Sequence, residues 1–224
     1  MVTTKNTLKD KLIDKSNLLI ISFIIIAIAL SILFYNKLPE TIATHWGING
    51  EANGFMGKTS GLIIFPAIMI ILSIVLYYLP KLDPLNENIK KFRKDYNVFI
   101  TILIAVMLYI HIITLSINLG INLDLAQFLS PALAILFYAV GILLSKAKRN
   151  FFIGLRTPWT LSSEIVWNKT HKLGAKLFKC AGIICLLGII LPAYAIFFII
   201  IPIIFFSIWM VIYSFLEYSK LKKK

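Results

Sequence analysis

Long apolar stretches separated by short polar ones run through the chain, and their lengths decide what they are. Four of them contain no Asp, Glu, Lys or Arg: Asn17 to Tyr35, Gly61 to Leu79, Val98 to Asn118 and Ala126 to Leu144. An α-helix rises about 1.5 Å per residue, so about 20 apolar residues cross the roughly 30 Å hydrocarbon core of a bilayer. Each stretch meets that length. A further run, Cys180 to Phe215, continues for 36 residues without a charge. As a single helix it would overshoot the bilayer by more than about 20 Å, which tilt cannot absorb. It must fold back. Pro192 marks the place, because it lacks a backbone donor and restricts the residue before it, and Tyr194 suits an interfacial position. The pattern therefore predicts a fifth span near Leu173 to Leu191 and a sixth over Ala195 to Leu216, kinked at Pro202. Lys176 and Lys179 stretch their stems toward the headgroups. Lipid satisfies no backbone group, and the stretches lack the alternation of membrane strands, so the spans are helical. The predicted fold class is an all-α membrane protein with six transmembrane helices.

Charge adds the sidedness. Segments 1–16, 80–97, 145–172 and 217–224 hold nineteen Lys and Arg, whereas 36–60, 119–125 and the turn after Leu191 hold two. The positive-inside bias then places both termini in the cytoplasm. The net charge of +13 is thus mainly a topology signal with attraction to anionic lipid, and direct nucleic-acid binding is not expected. With 59% hydrophobic and only 15% charged residues, the chain has little aqueous surface to display. Its first partner is the lipid bilayer and its expected location is the cell membrane. The basic start resembles a signal peptide, but the run behind it is 19 residues long, lacks a small-residue cleavage site and precedes further spans. It reads as an uncleaved first helix. Cys180 and Cys185 lie on different helical faces, which suits neither a disulfide nor a metal pair.

Two segments outside the spans carry the chemistry. The outer loop 36–60 contains Pro39, His45, Trp46, Asn49, Gly50 and Glu51, and its stretch Leu38 to Lys58 holds four glycines and two asparagines, a composition that predicts tight turns with positive φ. A connection of that length is often functional. His45 beside Trp46 offers polar edges on flat apolar faces, a candidate binding surface; alternatively Trp46 anchors the loop at the interface and His45 caps a turn.

The inner segment 145–172 contains Asn150, Gly154, Arg156, Thr157, Pro158, Trp159, Thr160, Glu164, Trp167, Thr170 and His171. Its first half has strand-like and turn-like residues, and Pro158 disfavours helix at Thr157. Thr160 is a candidate N-cap, with Glu164 where negative charge suits the helix dipole. An amphipathic helix then leads into the fifth span. At 100° per residue Glu164, Trp167, His171, Gly174 and Phe178 share one stripe, while Lys169, Lys172, Lys176 and Lys179 gather roughly opposite. The basic stripe most simply lies against lipid phosphates. The aromatic stripe either docks Arg156 and Glu164 into a cytoplasmic pocket or packs on a neighbouring helix, and packing is the simpler reading.

The run Gly154-Leu155-Arg156-Thr157-Pro158-Trp159-Thr160, followed by Trp167 and Thr170-His171, resembles the signature of the SdpI-like family, the immunity proteins against the sporulation-delaying-protein toxin. The outer loop, with Leu38-Pro39, Thr44-His45-Trp46 and Asn49-Gly50-Glu51, is similar to the small N-terminal domain of unknown function found in many of them; Trp46 stands where a phenylalanine or similar ring is more usual. The resemblance implies a two-span unit, 1–80, and a four-span unit, 81–224. It also implies protection against a secreted peptide toxin, signalling in some members through a cytosolic transcriptional repressor, and neither catalysis nor cofactor.

Two other classes compete. A transporter exporting a peptide or amphiphile needs a proton carrier, and no acidic residue lies in the four clear spans or in Ala195 to Leu216; His111 is the only candidate. An enzyme would use Arg156, Glu164 and His171, for which sequence supplies only proximity. His45, His111 and His171 lie in three different layers, so a three-histidine metal site is not expected.

Overall fold

The computed structural model describes residues 3–48 and 50–222, the stretch 3–14 by its backbone course alone. The main elements are α1 (Thr3–Phe34), β1 (Thr41–Trp46), β2 (Ala52–Gly57), α2 (Lys58–Tyr78), α3 (Asn86–Lys90), α4 (Arg93–Asn118), α5 (Leu125–Lys146), α6 (Pro158–Ser162), α7 (Glu164–Cys185), α8 (Leu187–Ile190) and α9 (Ala195–Lys222). Among the described residues six helices are long and apolar enough to cross a membrane. The predicted fold class stands. The expected reversal also stands: α8 ends at Ile190, Pro192–Tyr194 forms a tight turn, and α9 sets off at Ala195. The helix predicted to lead into the fifth span is continuous with it, since α7 starts at Glu164 and runs unbroken to Cys185. Cys180 is exposed and Cys185 buried, on different faces as expected.

Large apolar side chains of α1, α2 and α9, such as Ile32, Ile71 and Phe205, point outward. Their neighbours in a membrane are lipid tails, so hydrophobicity cannot hold the helices to one another; close backbone approach must. The most extensive helix pair, α5 with α7, shows how. A Cβ on Gly141 would meet the Ala175 carbonyl oxygen and the Lys179 side chain, and a Cβ on Gly182 would meet the Ala134 carbonyl oxygen. Gly174 makes similar room for Met210 of α9. Hydroxyls inside the spans return their protons to their own helix: Ser22, Ser73, Thr101, Ser116 and Ser130 each donate to the carbonyl four residues back, which removes the cost of a bare polar group in lipid.

The outer loop departs from expectation. Rather than a series of turns it is an antiparallel hairpin, β1 paired with β2, with irregular register between Ala43 and Trp46. Of its glycines only Gly50 has positive φ, at 77°. Gly61, at the start of α2, leaves space that the Ile42 side chain fills, and Ile42 packs with Leu38, Leu62 and Leu115. The free edge of β1 is held by Asn118, the last residue of α4. Its Oδ1 accepts from the Ala43 N–H at 2.7 Å and its Nδ2 donates to the Ala43 carbonyl at 2.9 Å. One side-chain amide thus takes both main-chain groups of one strand residue. Asn118→Ala is expected to cost about 1–3 kcal/mol from these two bonds, read as faster proteolysis and amide exchange of 41–57 with the six spans intact.

At the opposite end the connections meet each other. Asn88 Nδ2 donates to the Arg149 carbonyl at 2.9 Å, and Asp83, 2% exposed, accepts the Phe151 N–H through Oδ2 at 2.8 Å. The segments after α2 and after α5 are therefore laced into one layer across that end.

Candidate functional site

Asn150 is the hub of the motif segment. Its Oδ1 accepts the N–H groups of Phe152 and Ile153, and its Nδ2 donates to the carbonyls of Lys148 and Ile153, all within 2.6–2.9 Å and with the side chain fully buried. A side-chain amide carries two donors and two acceptor lone pairs, and here all four are used to shape a loop with no ladder of its own. No strand forms across 150–157. The chain turns instead at Gly154, φ 108°, where a Cβ would strike His171.

His171 explains that contact. Its Nε2 accepts the Leu155 N–H at 3.1 Å and its Nδ1 faces the Trp167 carbonyl at 2.9 Å. An N–H donor on one side and a carbonyl on the other select the neutral ring with the proton on Nδ1. The ring stacks on Trp167, centroids 3.9 Å apart and planes 15° from parallel, and Trp167 Nε1 donates to the Ala147 carbonyl at 3.0 Å. Trp167 and His171 thus pack, and between them they tie α7 to the end of α5 and to the Gly154 turn.

Capping differs from the sequence expectation. Thr157, not Thr160, is the N-cap: its hydroxyl accepts the Thr160 N–H while Thr160 Oγ1 accepts the Thr157 N–H, a reciprocal capping box around the short α6 with Pro158 at its first position. Proline there has no donor to waste. α7 is capped separately by Ser163, whose Oγ faces the Val166 N–H. Thr157 Oγ1 also shares a hydrogen bond with Ser214 Oγ at 3.0 Å, and Trp159 meets Phe215 edge-on, so the motif clasps α9 too. Thr170 is buried in the same packing. Arg156, Pro158 and Glu164 are exposed, and Arg156 Nη1 donates to the Phe151 carbonyl at 2.8 Å. Arg156 and Glu164 stay at the surface rather than being enclosed with the Trp167 and His171 rings.

At the other end, His45 is exposed and bonds Asn53 Oδ1 through Nδ1 at 2.6 Å; Pro39, Gly50 and Glu51 are exposed and Trp46 half-buried. Asn49 lies outside the described residues. The tip adds two side chains that sequence reasoning passed over, Ile48 and Phe55, each 62% exposed. His111, the candidate carrier, is buried between α1, α2 and α4: its Nε2 shares a hydrogen bond with Ser31 at 3.0 Å, and Phe65 lies against the ring.

Comparison with known proteins places this arrangement. Residues 146–214 match the SdpI/YfhL protein family, and residues 22–70 match a domain of unknown function, DUF1648. The immunity protein SdpI of Bacillus subtilis (strain 168) is 29% identical over 209 residues, covering 92% of this chain and 98% of that protein. The chain is similar to the SdpI-like family along almost its whole length. It is a multi-pass protein of the plasma membrane. No solved structure matches it.

The SdpI match holds the motif, the whole of α7 and most of α9, which are the elements that the Thr157, Trp167 and His171 contacts join. The DUF1648 match begins in α1, ends in α2 and encloses the hairpin. Asn118 and Asp83, which fasten these regions, lie outside both matches. Nothing local singled them out, since each acts on a backbone segment more than 65 residues away. Glu217, 4% exposed, also lies outside both matches and bonds Lys169, 48 residues away, and the neighbouring Lys220, each at 2.6 Å.

Proposed function

We propose that this chain is a non-catalytic immunity protein that protects its cell against a secreted, membrane-active peptide toxin. The observation that carries the reading is its likeness, almost end to end, to a protein named for immunity. On this reading 1–80 and 81–224 are the two functional units, the hairpin faces outward and the motif end faces the cytoplasm. The hairpin is held at Asn118 and Ile42 and exposes Ile48 and Phe55 beside His45 and Glu51, a suitable face for an apolar peptide. The motif end presents Arg156, Pro158 and Glu164 to water, where a cytosolic repressor would find them. A signal between the two ends would require two discrete helix arrangements with different affinities for each partner.

The test is expression in a toxin-sensitive strain. Survival is expected to rise, and unchanged killing by every toxin of this class would remove the reading. Exposure then separates the motif residues: Arg156→Ala is expected to keep protection while releasing any repressor from membranes, whereas Trp159→Ala, Trp167→Ala and His171→Ala reduce both, because they loosen the motif end itself. Phe55→Ser with Ile48→Ser is expected to abolish protection at unchanged membrane level, read by immunoblot and colony survival.

A further inference from the structure

Lysines converge on one groove from two elements. Lys146 ends α5, Lys148 follows it, and Lys172, Lys176 and Lys179 stand in a row on the facing side of α7; together with Asn168 they line a groove of about 470 Å³. None of the five has a carboxylate partner among the described residues. The contrast with Lys169 on the same helix is informative, since that lysine is paired to Glu217 at 2.6 Å. The protein neutralises its own cation where α7 meets α9 and leaves five unneutralised where α7 meets α5.

Depth sharpens the point. Gly141 packs against Ala175 and Lys179, so Lys179 lies level with a residue five positions before the end of α5. That is about 7.5 Å of helical rise below Lys146. The ladder of ammonium groups descends from the interface into the apolar layer, its lowest member 5.6 Å from the Tyr138 ring centroid. Ammonium groups held there without a counter-charge are costly, and snorkelling relieves only part of it.

We propose that this groove is a binding site for the phosphate headgroup of an anionic phospholipid. The phosphate sits among Lys146, Lys172 and Lys176, with the Asn168 amide beside it, and the acyl chains descend along the apolar wall of Leu144 and Ala175. A zwitterionic headgroup fits poorly, because it brings its own cation to five others. The site goes beyond the immunity reading and does not depend on it. Basic grooves between spans at the membrane surface favour anionic headgroups, each lysine contributing about a fivefold gain in affinity.

The experiment is native mass spectrometry of the full-length protein in detergent, titrated with phosphatidylglycerol or phosphatidylcholine. Phosphatidylglycerol is expected to be retained at least about tenfold more tightly. The Lys146→Gln, Lys172→Gln, Lys176→Gln variant is expected to lose about 100-fold, the triple arginine variant to keep binding, and Lys91→Gln with Lys94→Gln, outside the groove, to leave it unchanged. Equal retention of the two lipids, or no loss in the glutamine variant, overturns the proposal. Inorganic phosphate that protects against heat as well as phosphatidylglycerol does, at equal concentration, also overturns it by identifying a soluble anion as the ligand. Should the glutamine variant fail to fold, the two lipids and phosphate on the unmodified protein still decide.

Discussion

Gly154→Ala is expected to destabilise the protein by about 2–6 kcal/mol. Two causes add. The backbone at φ 108° is one that an L side chain rarely adopts, at a cost of about 1–3 kcal/mol. The new Cβ would also strike His171, displacing a ring that can move neither toward Trp167, on which it is stacked, nor away from the Leu155 N–H that it accepts. Losing that buried bond costs about 1–3 kcal/mol more. Gly120 supplies the control. It too has positive φ, 90°, but a Cβ there meets nothing within 4 Å, so Gly120→Ala carries backbone strain without the collision. Thermal unfolding of the purified variants in detergent should separate them, and His171→Ala combined with Gly154→Ala should cost less than the sum of the two. A Gly154→Ala protein as stable as Gly120→Ala would show that the His171 contact does not hold the loop.

Asn150→Ala is expected to cost about 2–6 kcal/mol, because it strands the buried N–H and carbonyl of Ile153 and frees the Phe152 N–H and the Lys148 carbonyl, and each unmet buried group costs about 1–3 kcal/mol. The same measurement reads it, together with protease cleavage at 148–156, which should appear before any span is lost. Asn150 and Gly154 shape the same turn, so the double variant should fall well short of additivity. Cleavage unchanged from the parent protein would mean that the loop keeps its course without the amide.

What could be read in advance followed from length and continuity. Six spans and the reversal at Pro192–Tyr194 come from how far a helix travels per residue, a local quantity, and the structure has both. The hairpin was not legible, because Thr41–Trp46 and Ala52–Gly57 lack a clear two-residue alternation and the second contains two glycines; their pairing is held by Asn118 and Gly61, residues of other elements. At the motif, the aromatic stripe of α7 followed from helical periodicity, and Trp167 and His171 pack as that stripe suggested. The cap did not follow. Pro158 both disfavours helix at Thr157 and occupies the first helical position, which moves the cap back to Thr157. Nor could sequence show that Lys169 leaves the basic stripe for Glu217, since that pairing depends on where α9 ends up.

The Asn118 clamp also bears on the order of events at the ribosome. Ala43 and the amide that holds it are 75 positions apart, and at ordinary elongation rates that separation is roughly 4–15 s of synthesis. For those seconds the hairpin exists without its fastening, its strand edge open to any other chain emerging nearby. Only when the third span is complete does the edge close. A nascent chain paused between those two points would present an unpaired strand, the form in which a protein of this kind is most exposed to proteases and to mispairing.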